Sequence, residues 1–229
     1  MTVVISGASR GIGKELINFF LQKKGVKIIA LSSHPEKLRT FEKKKNFHAV
    51  KADFTIEDSI YEVTETIRTI TGEISILINN AGVLVNKPFS KITSKELELC
   101  YRVNVFAPFL LSQQLLPLMG KKEKSHIVNI SSMGGFQGSS KFAGLSAYSS
   151  SKGALSILSE CLAEEFKDKN ISVNCLCPGA VNTEMLQKAF PGYKARTSAK
   201  EMAAYIGDFA LNGNKFYNGK VLPVNNSNP

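Results

Sequence analysis

The chain has no tryptophan, only three histidines and only four cysteines among its 229 residues. Cys100, Cys161, Cys175 and Cys177 show none of the spacings of a disulfide framework, and a chain of this length buries a core without staples. Cys175-Leu176-Cys177 puts two thiols on one face of a strand, but no histidine lies near them, so no metal site is expected. No apolar run approaches the ~20 residues of a membrane span. Nor does Met1–Ile5 carry the basic start of a signal peptide. Linkers, repeats and low-complexity segments are also missing, which excludes fibrous and disordered classes. These absences lead to the expectation of one domain over residues 1–229 in a reducing cytoplasm. No second, substrate-defining domain is expected after the last strand, where the sequence reads Asn225-Asn226-Ser227-Asn228-Pro229.

Acidic residues are also scarce: Asp and Glu number 19 against 29 Lys and Arg, a formal net charge of +10. Such a balance can serve nucleic acid, an acidic membrane or a small anion. The short clusters Lys43-Lys44-Lys45 and Lys121-Lys122-Glu123-Lys124 lack the interleaved aromatics of a nucleic-acid surface. They read as solvated helix ends, with no nucleic-acid or membrane partner.

Short β-branched runs alternate with amphipathic ones throughout. Strands are expected at Val3–Ser6, Lys27–Leu31, Phe47–Ala52, Ile74–Asn79, Ile127–Ser131, Ser172–Cys177 and Lys220–Val224. Helices are expected near Ile12–Lys23, Pro35–Lys44, Ile56–Thr71, Lys95–Met119, Ala147–Lys167 and Ala199–Ala210. Ser33…Glu36, Thr93…Glu96 and Ser198…Glu201 have capping-box spacing. Strands apolar on both faces, alternating with helices, define an α/β doubly wound parallel sheet with helices on both faces.

Val3–Gly13 runs from a strand into Gly7, Gly11 and Gly13 and then a helix. Gly7 permits a tight turn, Gly11 a close approach to phosphate, and Gly13 helix-on-strand packing. The exposed N–H groups at the helix start form an anion site. Gly7-Ala8-Ser9-Arg10-Gly11 also spells G-x-S-x-G, the hydrolase nucleophile elbow. Too few residues precede it to supply an oxyanion donor from an earlier strand, so that reading fails.

Four more motifs end strands or open the helix that follows: Asn79-Asn80-Ala81-Gly82, Ile130-Ser131-Ser132, Tyr148-Ser149-Ser150-Ser151-Lys152 and Pro178-Gly179-Ala180-Val181-Asn182-Thr183. Carboxyl ends of strands are where open α/β sheets bind ligands. Tyr148 and Lys152 are four apart and face the same way on a helix. A phenol with a pKa of about 10 needs roughly 4 kcal/mol of preference for the phenolate to drop about 3 units. One cation about 4 Å away at an effective dielectric of about 20 supplies a similar amount.

Together with Ser6–Gly13, these motifs resemble the short-chain dehydrogenase/reductase family along essentially the whole chain. The resemblance implies a Rossmann-type sheet of about seven strands in the order 3-2-1-4-5-6-7 and hydride transfer between a nicotinamide and a carbonyl or secondary alcohol. It implies that Tyr148 moves the substrate proton and that Ser132 bonds the substrate oxygen, although strand alternation alone leaves Ser131 or Ser132 open. Lys152, helped by the positive charge of an oxidised nicotinamide, is then sufficient in magnitude to lower the phenol. It would also bind the nicotinamide ribose, and Asn104, in Arg102-Val103-Asn104-Val105, would hold a water of the proton relay. The cofactor contacts implied are Gly7, Ser9, Arg10, Gly11, Ile12, Gly13, Asp53 at the adenine with Phe54 beside it, Asn80, Ala81, Gly82, Val103, Tyr148, Lys152, Pro178, Gly179, Val181 and Thr183. No carboxylate follows the second strand before Glu36, whereas Arg10, Ser33 and His34 can meet a 2′-phosphate, so NADP(H) is favoured over NAD(H). Segment 133–147 is somewhat longer than the family pattern and reads as a flexible flap, and segment 184–197 as an apolar lid. A homodimer or homotetramer is implied. The competing reading is a catalytically silent NADP(H)-sensing protein on the same fold.

Overall fold

Alternation along the strands divides the core in two. A computed structural model describes residues 1–225; Asn226–Pro229 of the chain end lie outside the described residues. Val3, Ile5, Ile28, Ala30, Ile76, Ile78, Val128 and Ile130 belong to one buried cluster, and Val4, Ile29, Leu31, Leu77 and Ile127 to the other. Neighbours in sequence therefore feed opposite faces, as the period of two dictates. Each buried Ile or Leu contributes about 1.5–3 kcal/mol, so both faces must be covered by helices.

The strands are β1 (Thr2–Ser6), β2 (Lys27–Ser32), β3 (Phe47–Lys51), β4 (Ile76–Asn79), β5 (Ser125–Ile130), β6 (Ile171–Pro178), the two-residue β7 (Val181–Asn182) and β8 (Thr197–Ser198), and β9 (Val221–Val224). Seven of them form one parallel sheet in the order β3-β2-β1-β4-β5-β6-β9; β7 and β8 pair separately. The main sheet has the expected Rossmann-type order, with the last strand numbered nine because the short pair intervenes. The order reverses between the neighbours β1 and β4, whose carboxyl ends lie side by side. That is a topological switch point, the ligand crevice of open α/β sheets.

The helices are α1 (Gly11–Leu21), α2 (Glu57–Ile70), α3 (Ser94–Tyr101), α4 (Ala107–Leu115), α5 (Ser146–Glu165), α6 (Glu184–Ala189) and α7 (Ala199–Asn212). Thr93 with Glu96 and Ser198 with Glu201 form the expected capping boxes. Ser33 with Glu36 does not. Pro35 opens a 3-10 helix, Pro35–Phe41, whose N-cap is His34, so Ser33 sits one residue too early. Ser32 Oγ instead accepts from the His34 N–H at 2.9 Å, and Glu36 pairs with the His34 ring at 3.1 Å.

The expected long helix Lys95–Met119 is also divided. A π turn over Arg102–Phe106 separates α3 from α4, and a 3-10 turn, Leu116–Leu118, ends it. The strand expected from Ile74 begins at Ile76, with Ile74 making only an isolated bridge to Met119. Among the described residues no helix is long and apolar enough to cross a membrane.

Candidate active site

The Gly-rich turn is fixed by contacts that only glycine permits. Gly7 has φ +66°, and a Cβ there would lie 2.7 Å from Ala81 Cα; a Cβ on Gly13 would lie 2.2 Å from the Gly7 carbonyl oxygen. Ser6 Oγ accepts from the N–H groups of Asn80 and Ala81, both at 3.0 Å. Asn80 Nδ2 returns bonds to the carbonyls of Ser6 and Gly7 at 3.0 and 3.2 Å. The ends of β1 and β4 are thus stitched together. Gly11, at φ +51°, faces Thr183, whose Cγ2 would be 3.4 Å from a Cβ. Arg10 is the N-cap of α1 and makes no side-chain cap bond, so the first N–H groups of α1 lack that partner and are placed for an anion. This cradle fits a dinucleotide diphosphate.

A second group lies where β5 meets α5. Tyr148 and Lys152 are both buried. The Ser132 hydroxyl is close enough to the Tyr148 phenol to act on its pKa, and its Oγ accepts from the Gly134 N–H at 3.1 Å. Ser131 points elsewhere: its Oγ donates to the Lys152 carbonyl at 2.7 Å. Of the two candidates left open by alternation, Ser132 is the one at the tyrosine.

Burial pushes the Tyr148 phenol up from its ordinary value, with the Ser132 hydroxyl acting in the opposite direction. Burial also lowers the Lys152 ammonium from 10.5 to about 8. The ammonium donates to the Ile130 carbonyl at 2.7 Å.

The π turn presents Asn104 to this group. Asn104 Oδ1 accepts from the Val83 N–H at 2.9 Å, while Nδ2 donates to the Val83 carbonyl at 3.0 Å and to Ser151 Oγ at 2.9 Å. Its side chain is therefore committed to holding the loop after β4 and the start of α5. A Cβ on Gly82 would lie 3.3 Å from Asn104 Oδ1 and 3.4 Å from Lys152 Nζ, so Gly82 leaves that corner open. π turns are frequent at functional sites.

The other expected contacts have the following surroundings. Arg10 lies 3.8 Å from Glu184 at the start of α6, with both side chains exposed. Ser33 and His34 are exposed at the end of β2. Asp53 Oδ1 accepts from the Thr55 N–H and hydroxyl at 3.0 and 2.7 Å, which hold its pKa down. Phe54, Val103 and Val181 are buried in the two apolar clusters, so only their backbones are available to a ligand. Ile12 and Pro178 are likewise packed, Ile12 partly, while Ser9 and Gly179 remain partly open. Thr183 Oγ1 accepts from the Leu186 N–H at 3.3 Å and caps α6.

Segment 133–147, expected to be flexible, is knit by Ser139 Oγ to the Met133 carbonyl and by Lys141 Nζ to the carbonyls of Phe136 and Ser139. Segment 184–197 contains α6, whose Met185 and Leu186 are half-buried, while Tyr193 is exposed. Sequence reasoning missed Ser6 and Ser151. Ser151 had a signal: it lies three residues after Tyr148, on the same helical face.

A switch-point crevice with a glycine cradle on one side and a buried Tyr–Lys pair on the other defines a dinucleotide-binding α/β protein. A family model described as short chain dehydrogenase matches residues 1–194. The chain belongs to the short-chain dehydrogenase family of oxidoreductases. It is 34% identical over 186 residues to the 3-oxoacyl-[acyl-carrier-protein] reductase FabG of Buchnera aphidicola, covering 80% of this chain and 75% of that protein. It is 33% identical to the NADPH-dependent 3-dehydrocapnine reductase of Ornithobacterium rhinotracheale, covering 82% of this chain and 68% of the relative. Among solved structures, 4-hydroxyisoleucine dehydrogenase complexed with NADH superposes with TM-score 0.87 at 26% identity, covering 98% of this chain and 96% of that one.

Proposed function

We propose that this chain is an NADP(H)-dependent carbonyl reductase in which Tyr148 delivers the proton to the substrate oxygen. The observation that carries this reading is the buried Tyr148 phenol under the influence of the Ser132 hydroxyl, one helical turn from Lys152, on the same carboxyl-end side of the sheet as the glycine cradle. Bound NADPH supplies the hydride. Ser132 and Tyr148 together hold the carbonyl oxygen, and Tyr148, kept protonated by burial, donates as negative charge develops there. Lys152, half neutralised near pH 8, orients the nicotinamide ribose and returns a proton toward the tyrosine through the region bounded by Asn104 and Gly82. A proton held on the phenol at neutral pH favours reduction over oxidation.

The NADP preference is supported by the chemistry at the end of β2. Ser32, Ser33 and His34 stand where a ribose-binding carboxylate would repel a 2′-phosphate, and Arg10 is the basic group of the turn. The resemblance to an NADPH-dependent reductase agrees with this, while the structural neighbour holding NADH marks the alternative. Phe106 and Phe109 near and on α4, and Ile157 on α5, are exposed apolar side chains that favour a homo-oligomer built on those helices.

The deciding experiment follows NADPH oxidation against a panel of ketones, aldehydes and diketones, for the wild type and Tyr148→Phe. Loss of one proton donor predicts a fall of roughly 10²–10⁴-fold in kcat, with NADPH binding retained. Equal turnover by the variant overturns the mechanism, and equal kcat/KM with NADH overturns the cofactor preference.

A further inference from the structure

Asn86 lies in the loop between β4 and α3, outside the motifs of the site. Its Nδ2 donates to the Ala189 carbonyl at 2.8 Å. Ala189 ends α6, so this carbonyl is one that the helix cannot satisfy internally. The other atom of the same amide faces the flap: a Cβ on Gly144, at φ +86°, would lie 2.2 Å from Asn86 Oδ1. Only glycine lets the flap backbone run this close. The next residue adds a backbone bond, Lys87 N–H to the Gly144 carbonyl at 3.0 Å. One side chain thus touches the lid with its donor and the flap with its acceptor.

The loop that carries Asn86 is itself anchored on both sides. Asn104 brackets Val83, and Lys87 Nζ is paired at 2.6 Å with Glu96 of the Thr93 capping box. The lid is less well held. Six residues are too few for α6 to sustain itself, and the Gln187 side chain bonds only locally, to Asn182 Oδ1 at the end of β7 and to the Tyr193 carbonyl within the segment. Thr183 against Gly11 fixes its first turn at the cofactor cradle. Asn86 meets it at the opposite end.

We propose that Asn86 is a positioning residue that clamps α6 to the flap at Gly144 and so sets the width of the substrate mouth. The kinetic consequence rests on the carbonyl-reductase reading; the clamp does not. Hydrogen exchange on the unliganded protein compares the wild type with Asn86→Ala and with Asn86→Asp, which keeps the shape but turns a carboxylate rather than a donor toward Ala189. Gln187 and Phe190 amides, which bond the Thr183 and Leu186 carbonyls, should exchange roughly three- to tenfold faster in both variants, with α1 amides unchanged. KM for the carbonyl substrate should rise by a similar factor, while KM for NADPH stays at its wild-type value. Unchanged α6 exchange in Asn86→Ala, or wild-type protection in Asn86→Asp, overturns the clamp. Should the wild type reduce no carbonyl compound, the functional reading falls and the exchange comparison still decides the clamp.

Discussion

Lys152 is held in the protein at a cost that can be measured by removing it. Burial lowers its pKa from 10.5 to about 8, which corresponds to about 3 kcal/mol against the charged form. Below pH 8 the ammonium is charged in both folded and unfolded chains, and the full penalty applies. Between pH 8 and 10.5 the unfolded chain binds the extra proton, so stability should rise with pH across that window. Lys152→Met removes the charge at nearly constant volume but leaves the Ile130 carbonyl without its ammonium donor, a loss of about 1–3 kcal/mol. The variant should therefore be as stable as the wild type at neutral pH, or more stable by up to about 2 kcal/mol, while losing turnover. Urea unfolding of both proteins, from about pH 7 to 10, tests this as a difference. The wild type should gain on the variant by about 3 kcal/mol over the window. Parallel curves would refute the assignment of a charged, desolvated lysine.

Three further outcomes are expected. His126 is buried with Nδ1 donating to the Ala210 carbonyl and Nε2 accepting from Asn174, and burial lowers it from 6.5 to about 4. The unfolded chain takes up that proton first, so stability should fall by about 3 kcal/mol as pH drops from 6.5 to 4, and a His126→Gln variant should show a shallower acid slope in urea unfolding. Gly13→Ala drives a Cβ to 2.2 Å from the Gly7 carbonyl oxygen; a loss of about 1–3 kcal/mol in stability together with loss of dinucleotide binding by calorimetry is expected. Arg10→Gln should lower kcat/KM for NADPH roughly tenfold or more, the worth of a charge-assisted bond, and leave that for NADH nearly unchanged.

The sheet was legible because its information is local: Val3 and Ile5 against Val4 already state which face each residue serves. So were Thr93 and Ser198, whose caps need only a partner three residues on. Ser33 failed at the same rule because Pro35 fixed the helix start one residue later, a competition between two local signals. The division of the Lys95–Met119 segment left no mark in the hydrophobic period, since a π turn shifts the register by one residue only. Ser131 and Ser132 could be told apart only by what lies opposite, Lys152 in one case and Tyr148 in the other. Asn86 is further still from local reading, because both its partners belong to segments that approach it through the tertiary fold.

The Tyr–Lys pair gains its meaning from the same tertiary placement. Spacing of four residues put both groups on one face and made a Coulombic argument for a lowered phenol pKa available. In the folded chain desolvation acts on both groups and in opposite senses, raising the phenol and lowering the ammonium. Each shift moves the pair toward its neutral forms, a protonated tyrosine beside a lysine that loses its charge near pH 8. A protonated phenol is the form that a reductase needs at the moment the carbonyl oxygen becomes negative, and a lysine titrating near neutrality can reprotonate it between turnovers.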